Sequence, residues 1–242
     1  MPFDLADFTL IDMLRCGRAI RRAADDCTTL EDAASAIVEY LYAELHNKDA
    51  VGQRPALVRF YKTKPFADLE PRLQQFAASH SGGIALSPET RCLTLLATAG
   101  QRPEWCDPRQ SVGHQAIPLP SVNIVEQAPM IAQLIREMGM DIRDVVSPDP
   151  AVIPERERRT YDVFHVENAI GSPFIPVQAE FVKKYGIRSV VGFGGMLADG
   201  ELFAVIVFAR GHIPPGSAAR FRNIALDVKA TIHPFARPST GL

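Results

Sequence analysis

The stretch "SVVGFGGMLADGELFAVIVFAR", residues 189–210, constrains this chain more than any other. Two β-rich runs are joined by Ala198, Asp199 and Gly200, and Asp-Gly between apolar runs is a strong hairpin signal. Gly192, Gly194 and Gly195 lie inside the first run, not between a strand and a helix. The spacing "GFGG" matches neither a dinucleotide fingerprint nor a Walker loop, and no Lys-Ser/Thr follows it, so a phosphate-cradling loop is excluded. Strand alternation puts Val190, Gly192, Gly194 and Met196 on one face and Val191, Phe193, Gly195 and Leu197 on the other. The first of these faces is nearly bare, which permits close approach of a helix, another backbone or a ligand.

The rest of the chain supplies elements to cover that hairpin. Residues 8–25 and "CTTLEDAASAIVEYLYAEL" have helical spacing. The second is capped by Thr28 or Thr29, with Glu31 or Asp32 three residues on. "ALVRFYKT", "RCLTLLATAG" and "YDVFHV" read as strands, "PRLQQFAASH" and "VQAEFVKKYG" as short helices, the latter ending at Gly186. Residues 101–120 carry four prolines and read as loop. Residues 121–139 are helical but broken at Pro129, and "PDPAVIPERERRT" is polar and Pro-broken. The last element, "PGSAARFRNIALDVKATIHPF", begins with Ser217 as N-cap. Its apolar seam of Phe221, Ala225, Val228 and Ile232 suits a sheet or a second copy of itself.

This order predicts an α+β fold: a central antiparallel sheet, with the N- and C-terminal helices on one face. Hydrophobic residues make up 47% of the 242 and charged residues 22%, which fits a folded protein with a sizeable core. A net charge of −2 gives no basic field for nucleic acid or an anionic membrane. There is no apolar run of membrane-spanning length and no signal-peptide pattern at the N-terminus. The four cysteines form no disulfide framework, so the expected compartment is the cytoplasm, with reduced thiols.

The element order resembles the GAF domain, a regulatory ligand-binding fold related to PAS. The leading helices within "FTLIDMLRCGRAIRRAADDCTTLEDAASAIVEYLYAEL" and the closing "YGIRSVVGFGGMLADGELFAVIVFARGHIPPGSAARFRNIALDVKATI" carry the likeness. "CLTLLATAG", "PEWC", "GHQAIPLPS", "FHVENAIGSPFIP" and "YGIRSVVGFGG" resemble, more narrowly, a GAF-like sensory module of bacterial signalling proteins. Such modules typically precede histidine kinase or cyclase output domains. Here about ten residues follow the terminal helix, so the expectation is a stand-alone sensor or a fragment of a longer signalling protein.

The resemblance implies a GAF/PAS-like domain over 1–242, with N-terminal helices in 1–48 and first strands in 55–100. A lid insertion in 101–160 and the terminal strands, hairpin and helix in 161–235 complete it. The lid would cover the sheet face opposite the helices, over a floor made by strand 92–98, strand 161–166 and the glycine strand. The implied function is binding of a small molecule and transmission of the signal through the terminal helices to a partner or a second protomer. The ligand-binding candidates are Cys92, Trp105, Cys106, His114, Tyr161, His165, Arg188, Gly192 and Gly194; no residue is nominated as catalytic.

Other chemistry has weaker patterns. Cys92, Cys106, His114 and His165 are metal-ligand types, but no Cys-x-x-Cys, His-x-x-x-His or haem-attachment motif joins them. The cofactor therefore stays unassigned, with haem or another metal as the minor reading. A family of GAF-fold enzymes reduces free methionine sulfoxide with loop cysteines, and Cys106 with Cys92 is the only pair nominated for such a thiol reductase. Glu104 and Asp107 beside Cys106 disfavour its thiolate. Ser172, His165 and Asp162 make a triad only on paper, with no nucleophile elbow. A ligand-free dimerisation module is the remaining alternative.

Overall fold

The hairpin forms, and it sits inside a larger sheet. The structure is a computed structural model that describes residues 2–48 and 53–235. A short strand β1 (Phe3–Asp4) leads to α1 (Leu10–Ala23) and α2 (Leu30–Glu44), and β2 (Leu45–His46) pairs in parallel with β1. Next come β3 (Leu57–Pro65), α3 (Pro71–Ser79), β4 (Arg91–Gly100) and β5 (Ala116–Leu119). Four short helices follow, α4 (Val122–Glu126), α5 (Pro129–Glu137), α6 (Ile142–Val146) and α7 (Ile153–Arg158), before β6 (Phe164–Val166). A π-helical turn (Gln178–Lys183) precedes β7 (Ser189–Met196) and β8 (Leu202–Ala209), and α8 (Pro215–Ala219) and α9 (Phe221–Ile232) close the described chain. Residues 236–242, the short tail after the terminal helix, lie outside the described residues.

Six strands form one antiparallel sheet in the order β5-β4-β3-β8-β7-β6. At the β7–β8 turn Gly200 takes φ +74°, a left-handed conformation that glycine adopts without cost. Just beside the turn, Lys62 of β3 contacts both Asp199, at 3.0 Å, and Glu201, while Arg91 reaches Glu201 at 3.1 Å. All but Arg91 are more than nine-tenths buried. Burial pushes the Glu201 carboxyl above its ordinary value despite Lys62.

One face of the sheet carries α1, α2 and α9. Thr9 and Thr29 cap the first two helices by accepting the N–H groups of Asp12 and Asp32. Their buried residues, among them Ile20, Ile37 and Leu41, meet Val58, Phe60, Val191, Phe193, Val205 and Val207 of the sheet. Phe221 of α9 lies 5.0 Å from the Phe8 ring and 5.2 Å from the Phe193 ring. Ser217 caps no helix: it lies inside α8, and α9 begins at Phe221 after Arg220. The Ser217 hydroxyl instead accepts the Phe8 N–H at 3.1 Å, tying the two ends of the fold together.

Three expectations about elements are corrected. Residues 116–119, expected as loop, form edge strand β5; Pro118 sits there because only an edge strand tolerates its missing N–H. "PERERR" lies largely in α7, which Pro154 opens at an early position where its missing donor costs nothing. "VQAEFVKKYG" winds as a π turn, not an α-helix.

Candidate functional site

The other face of the sheet is built differently. β4 carries a bulge: Phe60 pairs with Ala97 and Tyr61 with Leu95, so Leu96 is extra. The bulge reverses the strand's parity. Leu93 and Leu95 face away from the terminal helices, whereas Ala97 and Ala99 face toward them. Beyond the bulge, Thr98 and Gly100 are therefore turned toward Trp105. The Thr98 hydroxyl donates to the Trp105 carbonyl at 2.9 Å, and a Cβ on Gly100 would lie 2.9 Å from the Trp105 Cβ.

The segment between β4 and β7 folds over this face and leaves a cavity of about 690 Å³. That lies within the range typical of small-molecule sites. Its floor is β3, β4 and β8, through Arg59, Tyr61, Leu93, Ala204, Ile206 and Phe208. Its roof comes from Ile117 of β5, from Met130, Leu134 and Ile135 of α5, and from Ile175 and Phe181. One wall is aromatic: Trp105 stands 4.5 Å from the Tyr185 ring and 5.7 Å from the Phe181 ring, and Phe181 lies 5.1 Å from Phe208.

Few polar groups interrupt this lining. Arg59, 9% exposed, donates from Nη1 to the Tyr61 hydroxyl and from Nη2 to the Ser111 hydroxyl, both at 3.1 Å. His114 stands at the mouth, exposed on its outer side, and its Nδ1 bonds the Val112 carbonyl at 2.8 Å. Desolvation of its inner side, and then the Arg59 charge, push its pKa down, which favours the neutral ring. Glu104 pairs with Arg102 at 2.9 Å, and Glu180 approaches Lys184 at 3.9 Å.

Of the nine residues anticipated from sequence, Trp105 and His114 line the cavity, and the other seven do not. Cys92 is buried in a separate cluster with Leu69, Ala77 and Ala116, and burial raises its thiol to about 11. Cys106 is exposed, its thiol 3.3 Å from the Gly100 carbonyl. Tyr161 is buried with its hydroxyl given to the Arg156 carbonyl, and His165 is tied through Nε2 to the Ile213 carbonyl at 2.9 Å. Arg188 is exposed.

The floor itself is corrected, because β6 and β7 contribute no lining residue. The bare face of β7 is already filled. A Cβ on Gly192 would lie 3.0 Å from Leu134 Cδ1, and one on Gly194 would collide with the Phe203 carbonyl and lie 2.9 Å from Ala204 Cα. The glycines admit α5 and the neighbouring strand.

The nominated thiol pair does not meet. Cys92 and Gly100 are eight strand positions apart, which at about 3.3 Å per residue separates them by roughly 25 Å. Cys106 sits at the Gly100 end, so it is far outside disulfide reach of Cys92. Among the described residues, no group of three or more His, Cys, Asp or Glu side chains is placed to hold a metal ion.

The sequence missed Arg59, Tyr61, Ile206 and most of the apolar lining. One signal was available: in "ALVRFYKT" an arginine interrupts an apolar strand.

The six-stranded antiparallel sheet, with terminal helices on one face and helical cover on the other, is a GAF-like fold. Comparison with solved structures agrees. The free methionine-R-sulfoxide reductase of Neisseria meningitidis, solved with its substrate, superposes with a TM-score of 0.51 at 10% identity over 97% of this chain and 94% of that one. The GAF domain of an Acinetobacter phosphoenolpyruvate-protein phosphotransferase matches at TM-score 0.43 and 13% identity over 93% of each chain. The phycocyanobilin-bound GAF domain of a cyanobacterial phytochrome matches at 0.42 and 10% identity, over 92% of this chain and 94% of that one. At such identities the likeness concerns the fold alone. No protein-family model and no curated protein matches the sequence. Among the described residues, no helix is long and apolar enough to cross a membrane.

Proposed function

We propose that this chain is a GAF-like sensory domain whose cavity binds a small molecule and whose terminal helices pass on its occupancy. The observation that carries the reading is the cavity of about 690 Å³ between β3, β4, β8 and the covering segment. A protein interior packed to ordinary density leaves no such volume. The segment 101–160 acts as the lid, through β5 and α5. Ligand stabilises one arrangement of that lid, and the sheet relays the change to α1 and α9 on its far side. Leu10, Ile11 and Leu14 of α1, each about 60% exposed, give a second copy or a signalling partner an apolar surface to meet.

Two measurements test this. Native mass spectrometry of protein purified without denaturant should reveal an excess mass that disappears on unfolding, or a metabolite screen should find compounds that raise the melting temperature. If no mass is retained and no compound stabilises the fold, the sensory reading fails. Light scattering should give a dimer that Leu14→Glu dissociates; a monomer at high concentration removes the second copy from the relay and leaves the signalling partner.

A further inference from the structure

Arg59 stands out among the buried charges. Lys62, three residues along the same strand, is answered by Asp199 and Glu201. Arg59 is equally buried, yet its hydrogen-bond partners are two neutral hydroxyls, Tyr61 and Ser111. Its Nε–H is buried with no partner among the described residues. A guanidinium stays charged at every physiological pH, and burying an uncompensated charge costs several kcal/mol. The carboxylates on the cavity wall do not supply the compensation: Glu104 is taken by Arg102, and Glu180 is exposed beside Lys184.

We infer that Arg59 is the specificity-determining residue of the cavity, and that the ligand is an amphiphile with an apolar or aromatic body and a single anionic head that Arg59 binds. This rests on the reading of the cavity as a ligand site. The Tyr61 and Ser111 hydroxyls hold the guanidinium in place, and each Nη keeps a second N–H, so the head meets a preorganised cation with donors to spare. The apolar floor and aromatic wall take the body. A single head carrying one charge fits better than a phosphate dianion, because Arg59 is the one arginine of a lining that holds no lysine among the described residues.

The experiment compares two fluorescent probes: anilinonaphthalene sulfonate, and phenylnaphthylamine, which keeps the rings and lacks the sulfonate. The wild-type protein should bind the sulfonate, one probe per chain, at least about tenfold more tightly than the neutral probe. Arg59→Met should abolish that preference while keeping the neutral probe's affinity, and Arg59→Lys should retain part of it. Equal affinities in the wild type, or a preference that survives Arg59→Met, overturns the inference and leaves the cavity reading standing. Binding of neither probe to the wild type overturns both. If Arg59→Met does not fold, Arg59→Gln decides: it keeps an amide donor for the Tyr61 and Ser111 hydroxyls and removes the charge, so the preference should be lost, and its survival overturns the inference.

Discussion

The two faces of one sheet have opposite interiors. The face under α1, α2 and α9 is filled, with Phe8, Phe193 and Phe221 in a contiguous ring stack at about 5 Å spacing. The face under the covering segment lines a cavity of about 690 Å³ and holds a buried arginine that, among the described residues, bonds two hydroxyls and pairs with no carboxylate. Adjacent residues of the same strands serve both: Val205 and Val207 point into the filled side, Ala204 and Ile206 into the hollow one. A domain can hold its shape with one face and keep the other available for binding, provided the two share a rigid wall.

The comparison breaks first at the phenylalanine stack. Phe221→Ala should lower unfolding free energy by about 3–5 kcal/mol in urea titration, since the hole it leaves is walled by rings. Leu93→Ala on the cavity floor should cost only about 2 kcal/mol, the transfer contribution, because there the cavity already exists. Equal losses would mean that the two faces are packed alike.

Lys62→Met comes close behind, at about 3–5 kcal/mol, since it leaves Asp199 and Glu201 buried without their lysine. Arg91 remains on Glu201, so Lys62→Met with Asp199→Asn should recover part of the loss. A double variant no better than the single would dissolve the ion-pair account.

A sharper test uses neighbours in β8. Val207→Phe overpacks the filled face and should cost about 1–3 kcal/mol. Ile206→Phe projects into the cavity and should change stability by less than about 1 kcal/mol while lowering probe affinity. The reverse order would place the hollow on the wrong side of the sheet.

The smallest effect is in pH. Burial lowers the His165 pKa below its ordinary 6.5, so the folded state prefers the neutral ring. Its contribution is present above pH 6.5 and is lost as pH falls from there through the folded value. His165→Gln should therefore flatten the decline in melting temperature between neutral and mildly acidic buffer. An unchanged slope would assign that decline to other groups.

The filled face was legible in sequence because its rules are local. Helical periodicity in α1 and α2, the threonine cap of α2 and the Asp-Gly hairpin each act within a few residues. The cavity was less legible because it is made by convergence. Three strands distant in sequence supply the floor, and the bulge at Leu96 reverses the faces of β4, so alternation counted from Cys92 misplaces everything after it. The glycines of β7 drew attention to the wrong strand: a missing side chain reports close approach but not what approaches. Arg59 was visible as a charge in an apolar strand, but which face it pointed to depended on the pairing.

Trp105, the chain's single tryptophan, stands in the cavity wall against Tyr185 and Phe181. The protein thus carries its own optical gauge. Excited selectively, its indole emission reports the polarity and quenching of that one wall, free of background from any other tryptophan. A change in that emission registers an event at the hollow face without a label, and silence there while the helices respond locates the event elsewhere.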